Sequence, residues 1–512
     1  MPRKWLKDAV FYEIYPQSFY DTNADGIGDI NGIIEKLDYV KSLGCNALWI
    51  NPCYDSPFKD AGYDVRDYKK VAPRYGTNDD LYRLFDVAHR KGMRVLLDLV
   101  PGHTSEEHAW FRQSQKAEPN EYSNRYIWTS DWWMGCGDMP YIGGESERAG
   151  TYILNFFKCQ PALNYGFLEP REPWQLPMDH PDALATRAAI VDVMRFWLSH
   201  GCDGFRVDMA NSLVKHDDAV KSGTSAVWRA IRAELEADYP EAALVAEWSA
   251  PKQALRAGYD MDFCLNNPDT GYSTLMRDYG DRVDNSYFRK DAPDRDIRRF
   301  LSVYQDWYQD TKDLGYISLL TCNHDTIRPR YNLEPEELKL AYAFLFTMPG
   351  VPFLYYGDEI GMRYLQLPTK EGGYHRTGSR TPMQWDGTEN LGFSKAGADA
   401  LYLPVDPAGD APTVAGQEGD PDSLLNTVRA LLKLRHEQPD LQADAPFEAI
   451  CTEQGKPFVY RRGGLVLAVN PSGEKLFADL EGEIEEALFT LGMADARGKR
   501  LVMGPQSFAV LK

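Results

Sequence analysis

Positive charge is scarce in this 512-residue sequence: 56 lysines and arginines stand against 76 aspartates and glutamates, a formal net charge of -20 at pH 7. Phosphate backbones and anionic membranes are bound through Lys/Arg surfaces, so neither nucleic acid nor a membrane is expected as a partner. No stretch of about 18 consecutive apolar residues exists to cross a bilayer. The opening MPRKWLKDAVFYEIYP also lacks the apolar run of a secretory leader. Cysteines are few and scattered, at positions 45, 53, 136, 159, 202, 264, 322 and 451, without the paired spacing of a metal site or the density of a disulfide scaffold. They read as reduced thiols, and a cytoplasmic location is expected. Fixed-period repeats, low-complexity tracts and a phosphate-cradling glycine loop are absent as well.

What remains is a large, acidic, globular chain, 43% hydrophobic, with 12 Trp and 30 Tyr. Several of these rings fall in glycine-rich, loop-like stretches such as SDWWMGCGDMPYIGG, where aromatic faces are available to stack on the apolar faces of sugars. One pattern recurs: an amphipathic helix, a closing glycine, then a short apolar strand. NDDLYRLFDVAHRKGMRVLLDLV shows it, with Leu81, Leu84, Phe85 and Ala88 on one helical face, Gly92 at the end, and the strand at Val95 to Val100. IIEKLDYVKSLGCNALWI, VDVMRFWLSHGCDGFRVD and ELKLAYAFLFTMPGVPFLYYGDE repeat it. With FYEIYP, ALVAEWS, YISLLTCNHD and a further strand near Phe263, the count reaches about eight parallel strands covered by helices. The expected fold class is α/β: a (β/α)8 TIM barrel with an inserted subdomain after strand 3 and a C-terminal antiparallel β-sandwich domain. The predicted divisions are 1–103 and 182–441 for the barrel, 104–181 for the insertion and 442–512 for the sandwich.

Polar residues at the carboxyl ends of barrel strands face the active-site mouth. Four strands end so: VLLDLVPGH with Asp98 and His103, GFRVD with Arg206 and Asp208, ALVAE with Glu247, and LLTCNHD with His324 and Asp325. Singly, each has a structural explanation, since a strand-end Asp can cap a helix and a buried Arg can neutralise a carboxylate. Together they suit glycosyl transfer, in which one carboxylate attacks and a second carboxyl protonates the leaving oxygen. Asp208 and Glu247 end neighbouring strands. Arg206 shares a strand face with Asp208 and would hold it ionised, whereas Glu247 needs a raised pKa to serve as acid. A separate stretch, DTNADGIGD, places Asp21, Asn23, Asp25 and Asp29 at alternating offsets with Gly26 at a turn. It looks like half of an EF-hand loop, but the twelfth position is Gly32 and not Glu. Read locally, it is either a hard-cation site or an Asx-rich surface turn.

GFRVDMAN, ALVAEWS, TCNHDTIR and DLVPGHTS resemble the four signature regions of glycoside hydrolase family 13, the α-amylase family. The likeness runs from about Ala9 to Pro439. AVFYEIYPQSFYDTNADGIGD, AGYDVRDY and SRTPMQWD are most similar to the α-glucosidase and oligo-1,6-glucosidase branch. The resemblance implies Asp208 as nucleophile, Glu247 as general acid/base and Asp325 as the stabiliser of the distorted sugar. It implies that Tyr63, Asp64, His103, Phe156, Arg206, His324 and Arg328 line the glucose subsite. It also implies a structural calcium held by Asp21, Asn23, Asp25, Asp29 and the Ile27 carbonyl. A small α-linked glucoside is the implied partner, and a retaining α-glucosidase the implied activity, with a glucosyltransferase or isomerase of the trehalose synthase or sucrose-converting kind as the alternative. A non-catalytic transporter subunit of this fold is disfavoured, because all three carboxylates are present.

Departures from the family pattern bear on specificity. Asn211 and Ser212 stand where endo-amylases carry Lys-His, and Lys215-His216 is out of that register. Gly102 replaces the usual Asn before His103, which removes a ligand of the amylase calcium site. Ala162 replaces an Asp, and Met209 stands where α-1,6 enzymes tend to have Val and α-1,4 enzymes a smaller residue.

Overall fold

The computed structural model describes residues 2–265, 267, 270–276, 286–480, 482 and 486–512. Eight parallel strands form the barrel: β1 (Phe11–Ile14), β2 (Ala47–Ile50), β3 (Arg94–Leu99), β4 (Gly204–Val207), β5 (Ala243–Ala246), β6 (Met261–Phe263), β7 (Tyr316–Ser318) and β8 (Phe353–Tyr355). Strands β1 to β7 pair in sequence order, and β1 also pairs with β8. Closure comes where Phe353 accepts from the Thr321 amide and donates to the Leu319 carbonyl. The strand expected near Phe263 is a full member of the sheet, paired on both sides.

Helices α1 (Ile30–Leu43), α2 (Asn78–Arg90), α3 (Pro181–Ser199), α4 (Ser222–Glu236), α5 (Arg298–Thr311), α6 (Pro335–Thr347) and α7 (Leu424–Glu437) surround the strands, with only a short helix, Pro251–Ala254, following β5. Local chemistry sets their ends. Thr77 and Asp80 form a reciprocal capping box at the start of α2, and its buried stripe is Leu81, Leu84, Phe85 and Ala88. The strands are buried on both faces because helices cover them outside and side chains fill them inside. Phe11, Trp49, Leu96, Val245, Phe263 and Phe353 pack that interior, so the barrel is solid and not a pore.

Between β3 and α3 the chain leaves the barrel for an insertion containing helix Ala109–Ser114 and the antiparallel pair Tyr141–Gly143 and Thr151–Ile153. After α7, two antiparallel sheets follow, one of five strands and one of three. Val459, Ala468, Leu501, Met503 and Ala509 form the core between them. Among the described residues no helix is long and apolar enough to cross a membrane.

Candidate active site

Alternation along the barrel strands builds the site. Side chains two apart share a face, and the inward positions read Phe11 then Glu13, Leu96 then Asp98, Gly204 then Arg206 and Asp208, Val245 then Glu247. Apolar residues occupy the barrel floor, and charged residues take the same faces one step higher. Register sets Asp98 beside Arg206 across β3 and β4.

Arg206 organises one half of the site. Fully buried, its Nη1 lies 2.7 Å from Asp98 Oδ1 and 3.2 Å from Asp208 Oδ1, and its Nη2 lies 2.8 Å from Glu247 Oε2. One cation serves three carboxyls. Burial pushes Asp208 and Glu247 up to about 7, with Arg206 opposing and neighbouring carboxylates adding to the rise. The two carboxyls therefore compete for a proton near neutral pH. Glu247 Oε2 also accepts the Met209 amide at 2.9 Å. Met209 has φ +42°, a left-handed conformation that a non-glycine side chain adopts only when its surroundings hold it there.

Asp325 organises the other half. Its Oδ1 accepts from Arg380 Nη2 at 2.8 Å and Arg376 Nη1 at 3.0 Å, and its Oδ2 lies 3.1 Å from His324 Nε2. Burial alone would raise this carboxyl; the imidazole and two guanidinium groups outweigh it and hold Asp325 well below the usual carboxylate range. Burial likewise opposes charge on His324, yet Asp325 and Glu13 lift it to about 9. His324 Nδ1 is 2.8 Å from Glu13 Oε1, and its ring is sandwiched between Tyr15 and Tyr63 at centroid distances of 5.7 and 5.3 Å. Tyr63 Oη joins the halves, 2.7 Å from His324 Nε2 and 3.1 Å from Asp98 Oδ2.

A cavity of about 270 Å³ opens between them. Asp208, Glu247, Asp325, Tyr63, His103 and Phe156 all line it, Phe156 half exposed at the rim. Arg206 and His324 stand behind, holding the carboxyls. Four of the seven expected lining residues therefore fall outside the lining: Arg206 and His324 directly behind it, and Asp64 and Arg328 elsewhere. Asp64 turns away from the cavity, accepting from Ser56 Oγ and the Lys59 and Asp60 amides at 2.9 to 3.0 Å, so it shapes the turn instead. Arg328 is buried against Asp358 Oδ1 at 2.8 Å and the Tyr356 carbonyl at 2.9 Å, outside the lining. The residues in their place are Asp60 and Arg376. Left-handed Ala61 and Gly62, at φ +49° and +106°, fold Asp60 back toward the mouth. There its Oδ1 lies 3.4 Å from Arg376 and its Oδ2 accepts from Gln160 at 2.7 Å. An acid three residues before Tyr63 is the sequence signal; the arginines come from an irregular loop after β8 that has no periodicity to place them.

Ala162 is fully buried and bridges His103 through the backbone, so its missing carboxylate alters the wall and not the lining. In the DTNADGIGD loop all donors are oxygens, as a hard cation requires. Asp21 accepts the Ala24 and Gly26 amides at 2.8 Å, Asp25 accepts the Ile27 amide, and Asp29 caps α1 through the Gly32 amide. Asp25 Oδ1 keeps a second lone pair, whereas Asp21 Oδ1 also accepts the Asn23 amide, Asp21 Oδ2 the Ser394 hydroxyl and Asp29 Oδ1 the Thr22 hydroxyl; Asn23 and Asp25 are exposed. Among the described residues no three carboxylate, imidazole or thiolate groups are arranged to hold a metal ion, so closing on an ion requires the side chains of this loop to swing inward.

A family profile described as the α-amylase catalytic domain matches residues 13–444. The trehalose synthase/amylase TreS of Mycolicibacterium smegmatis is 34% identical over 84% of this chain and 76% of its own length. An oligo-1,6-glucosidase of Heyndrickxia coagulans is 31% identical over 99% of both chains. Among solved structures, the trehalulose synthase MutB of Pseudomonas mesoacidophila MX-45 superposes with a TM-score of 0.82 at 26% identity, covering 99% of each chain. On these likenesses and the matched catalytic domain, the chain belongs to the α-amylase family, glycoside hydrolase family 13, with the oligo-1,6-glucosidases among its relatives.

Proposed function

We propose that the chain is a retaining α-glucosidase acting on short α-glucosides. The observation that carries this reading is the single Arg206 guanidinium touching both Asp208 and Glu247, opposite Asp325 across the cavity. Two carboxyls that share one planar cation suit the close spacing of retaining enzymes, roughly 5 to 5.5 Å. In the first step Asp208 attacks the anomeric carbon while Glu247 gives its proton to the departing glycosidic oxygen. A covalent glycosyl-Asp208 ester forms as the C–O bond to the leaving sugar breaks. In the second step the Glu247 carboxylate takes a proton from water, the oxygen attacks the anomeric carbon, and Asp208 is released as carboxylate. Asp325, kept ionised by Arg376, Arg380 and His324, accepts hydrogen bonds from ring hydroxyls and stabilises the positive charge that develops on the sugar.

Transfer is the second reading, supported by the trehalose synthase/amylase and trehalulose synthase relatives. There a sugar hydroxyl, and not water, resolves the ester. Chromatography of products from maltose, isomaltose, trehalose and sucrose separates the two. Glucose release without larger or isomeric products supports hydrolysis; isomeric disaccharide as the main product overturns it.

Two subsidiary proposals accompany the activity. Calcium occupies the Asp21–Asp29 loop as a structural ion outside the chemistry, supported by its all-oxygen donor set. Residence in a reducing compartment is supported by free thiols at Cys45, Cys53, Cys136, Cys159, Cys202 and Cys451.

A further inference from the structure

Gly102 immediately precedes His103, and the structure supplies a reason for the absence of a side chain there. Its φ is not left-handed, so the backbone there accepts any residue. The obstacle is space: a Cβ at 102 would lie 2.6 Å from Asn155 Nδ2 and 3.0 Å from Ser212 Oγ. The Asn155 amide, carried by the inserted subdomain, fills that volume.

The orientation of this amide follows from its neighbours. Lys215 Nζ lies 3.0 Å from Asn155 Oδ1 and 2.7 Å from the Ser212 carbonyl. Burial and the nearby Lys221 lower Lys215 to about 8, so it is an ammonium at neutral pH and can only donate. The amide oxygen must therefore face Lys215, which turns Nδ2 toward His103 Nδ1, 3.1 Å away. Asn155 Nδ2 also approaches Ser212 Oγ at 3.4 Å and Met209 Sδ at 3.8 Å. With Nδ1 accepting, the His103 proton sits on Nε2, where it is donated to the Tyr63 carbonyl at 3.1 Å. Burial, with Lys215 adding to it, holds His103 down at about 4 and hence neutral.

We propose that Asn155 is the positioning residue that fixes the tautomer and orientation of His103 at the cavity wall, and that position 102 is glycine to make room for that amide. The inference deepens the glycosidase reading and rests on it for the role of His103. Histidine-selective ¹⁵N spectroscopy on the full chain, with His103 assigned by His103→Gln, is expected to show Nε2 protonated and Nδ1 bare. Asn155→Asp is nearly isosteric, but its carboxylate can only accept, so His103 should take up a proton on Nδ1. An unchanged His103 signal in Asn155→Asp, or a protonated Nδ1 in the parent protein, overturns the proposal. Asn155→Ala and Gly102→Asn should each lower kcat/KM by about 10- to 100-fold, the scale of a displaced active-site group. The double variant Gly102→Asn/Asn155→Ala, which moves the amide to position 102 and into the same volume, should recover at least about tenfold over either single variant. A double variant no better than the worse single one also overturns the proposal. Should the parent protein turn over no glucoside at all, the glycosidase reading fails, while the spectroscopic arm still decides whether Asn155 sets His103.

Discussion

Three carboxyls around one buried guanidinium leave the Arg206 cluster with excess negative charge, and that imbalance sets both activity and stability. Asp208→Asn should reduce turnover of α-glucosides on the order of 10⁴-fold by removing the nucleophile, and Glu247→Gln by about 10² to 10⁴-fold. Because Glu247 is raised to about 7, its proton is lost as pH climbs through neutrality, so kcat/KM should decline on the alkaline side of a pH–rate profile; activity holding constant well above that value would contradict its role as acid. Stability follows the same shift. Between the ordinary carboxyl pKa and about 7 the folded state binds more protons at Asp208 and Glu247 than the unfolded state, so these groups make the fold less stable as pH rises. Both variants should therefore melt above the parent protein at pH 8, and the gap should close near pH 4.5. Asp325 works oppositely: its depressed pKa contributes stability that disappears only when pH falls below the usual carboxylate range. Asp98, Asp208 and Glu247 were legible in sequence because alternation carried along β3, β4 and β5 fixes their faces, whereas Asp60 and Asp325 stand on loops beyond the strands. Asp64 and Arg328 were misplaced because each side chain is claimed by a turn or a buried partner, which periodicity does not encode.

At the scale of elements, the eight strands were readable from helix, glycine and strand recurring in order, and even the three-residue β6 was anticipated. Loops resisted, since the path of the chain after β8, which delivers Arg376 and Arg380, depends on contacts distant in sequence. The Asp21–Asp29 loop joins both kinds of element. Asp29 caps α1, so Asp29→Ala should cost about 1 kcal/mol through the lost cap even when no ion is bound. Asp25 is exposed and outside that cap, so it isolates the ion's contribution. Chelation should lower Tm of the parent protein, and Asp25→Ala should abolish that sensitivity; a chelator without effect on Tm would remove calcium from the account.

Across the whole molecule, the C-terminal sheets are bound into the barrel. Arg462 of the five-stranded sheet donates to the carbonyls of Thr347, Gln442 and Ala445, and Tyr460 Oη meets Thr347 Oγ1 at 2.6 Å. Arg435 on α7 donates to Phe346, Met348 and Gly350. The end of α6 thus relies on donors from two other elements, and Phe344 packs on Phe458 and Tyr460. Calorimetry should show one cooperative transition, and a chain ending at residue 441 should aggregate, having exposed that contact surface. The Tyr63 hydroxyl is the strut between the two halves of the cavity floor, linking the Asp98–Arg206 side to the His324–Asp325 side. Above it the walls come from opposite sides of the ring of strands, β4 and β5 facing the loops after β7 and β8. A sugar that reaches Asp208 and Asp325 together becomes a keystone across that span, so a non-reactive iminosugar should raise the melting temperature of Asp208→Asn, a calorimetric reporter of occupancy that requires no turnover.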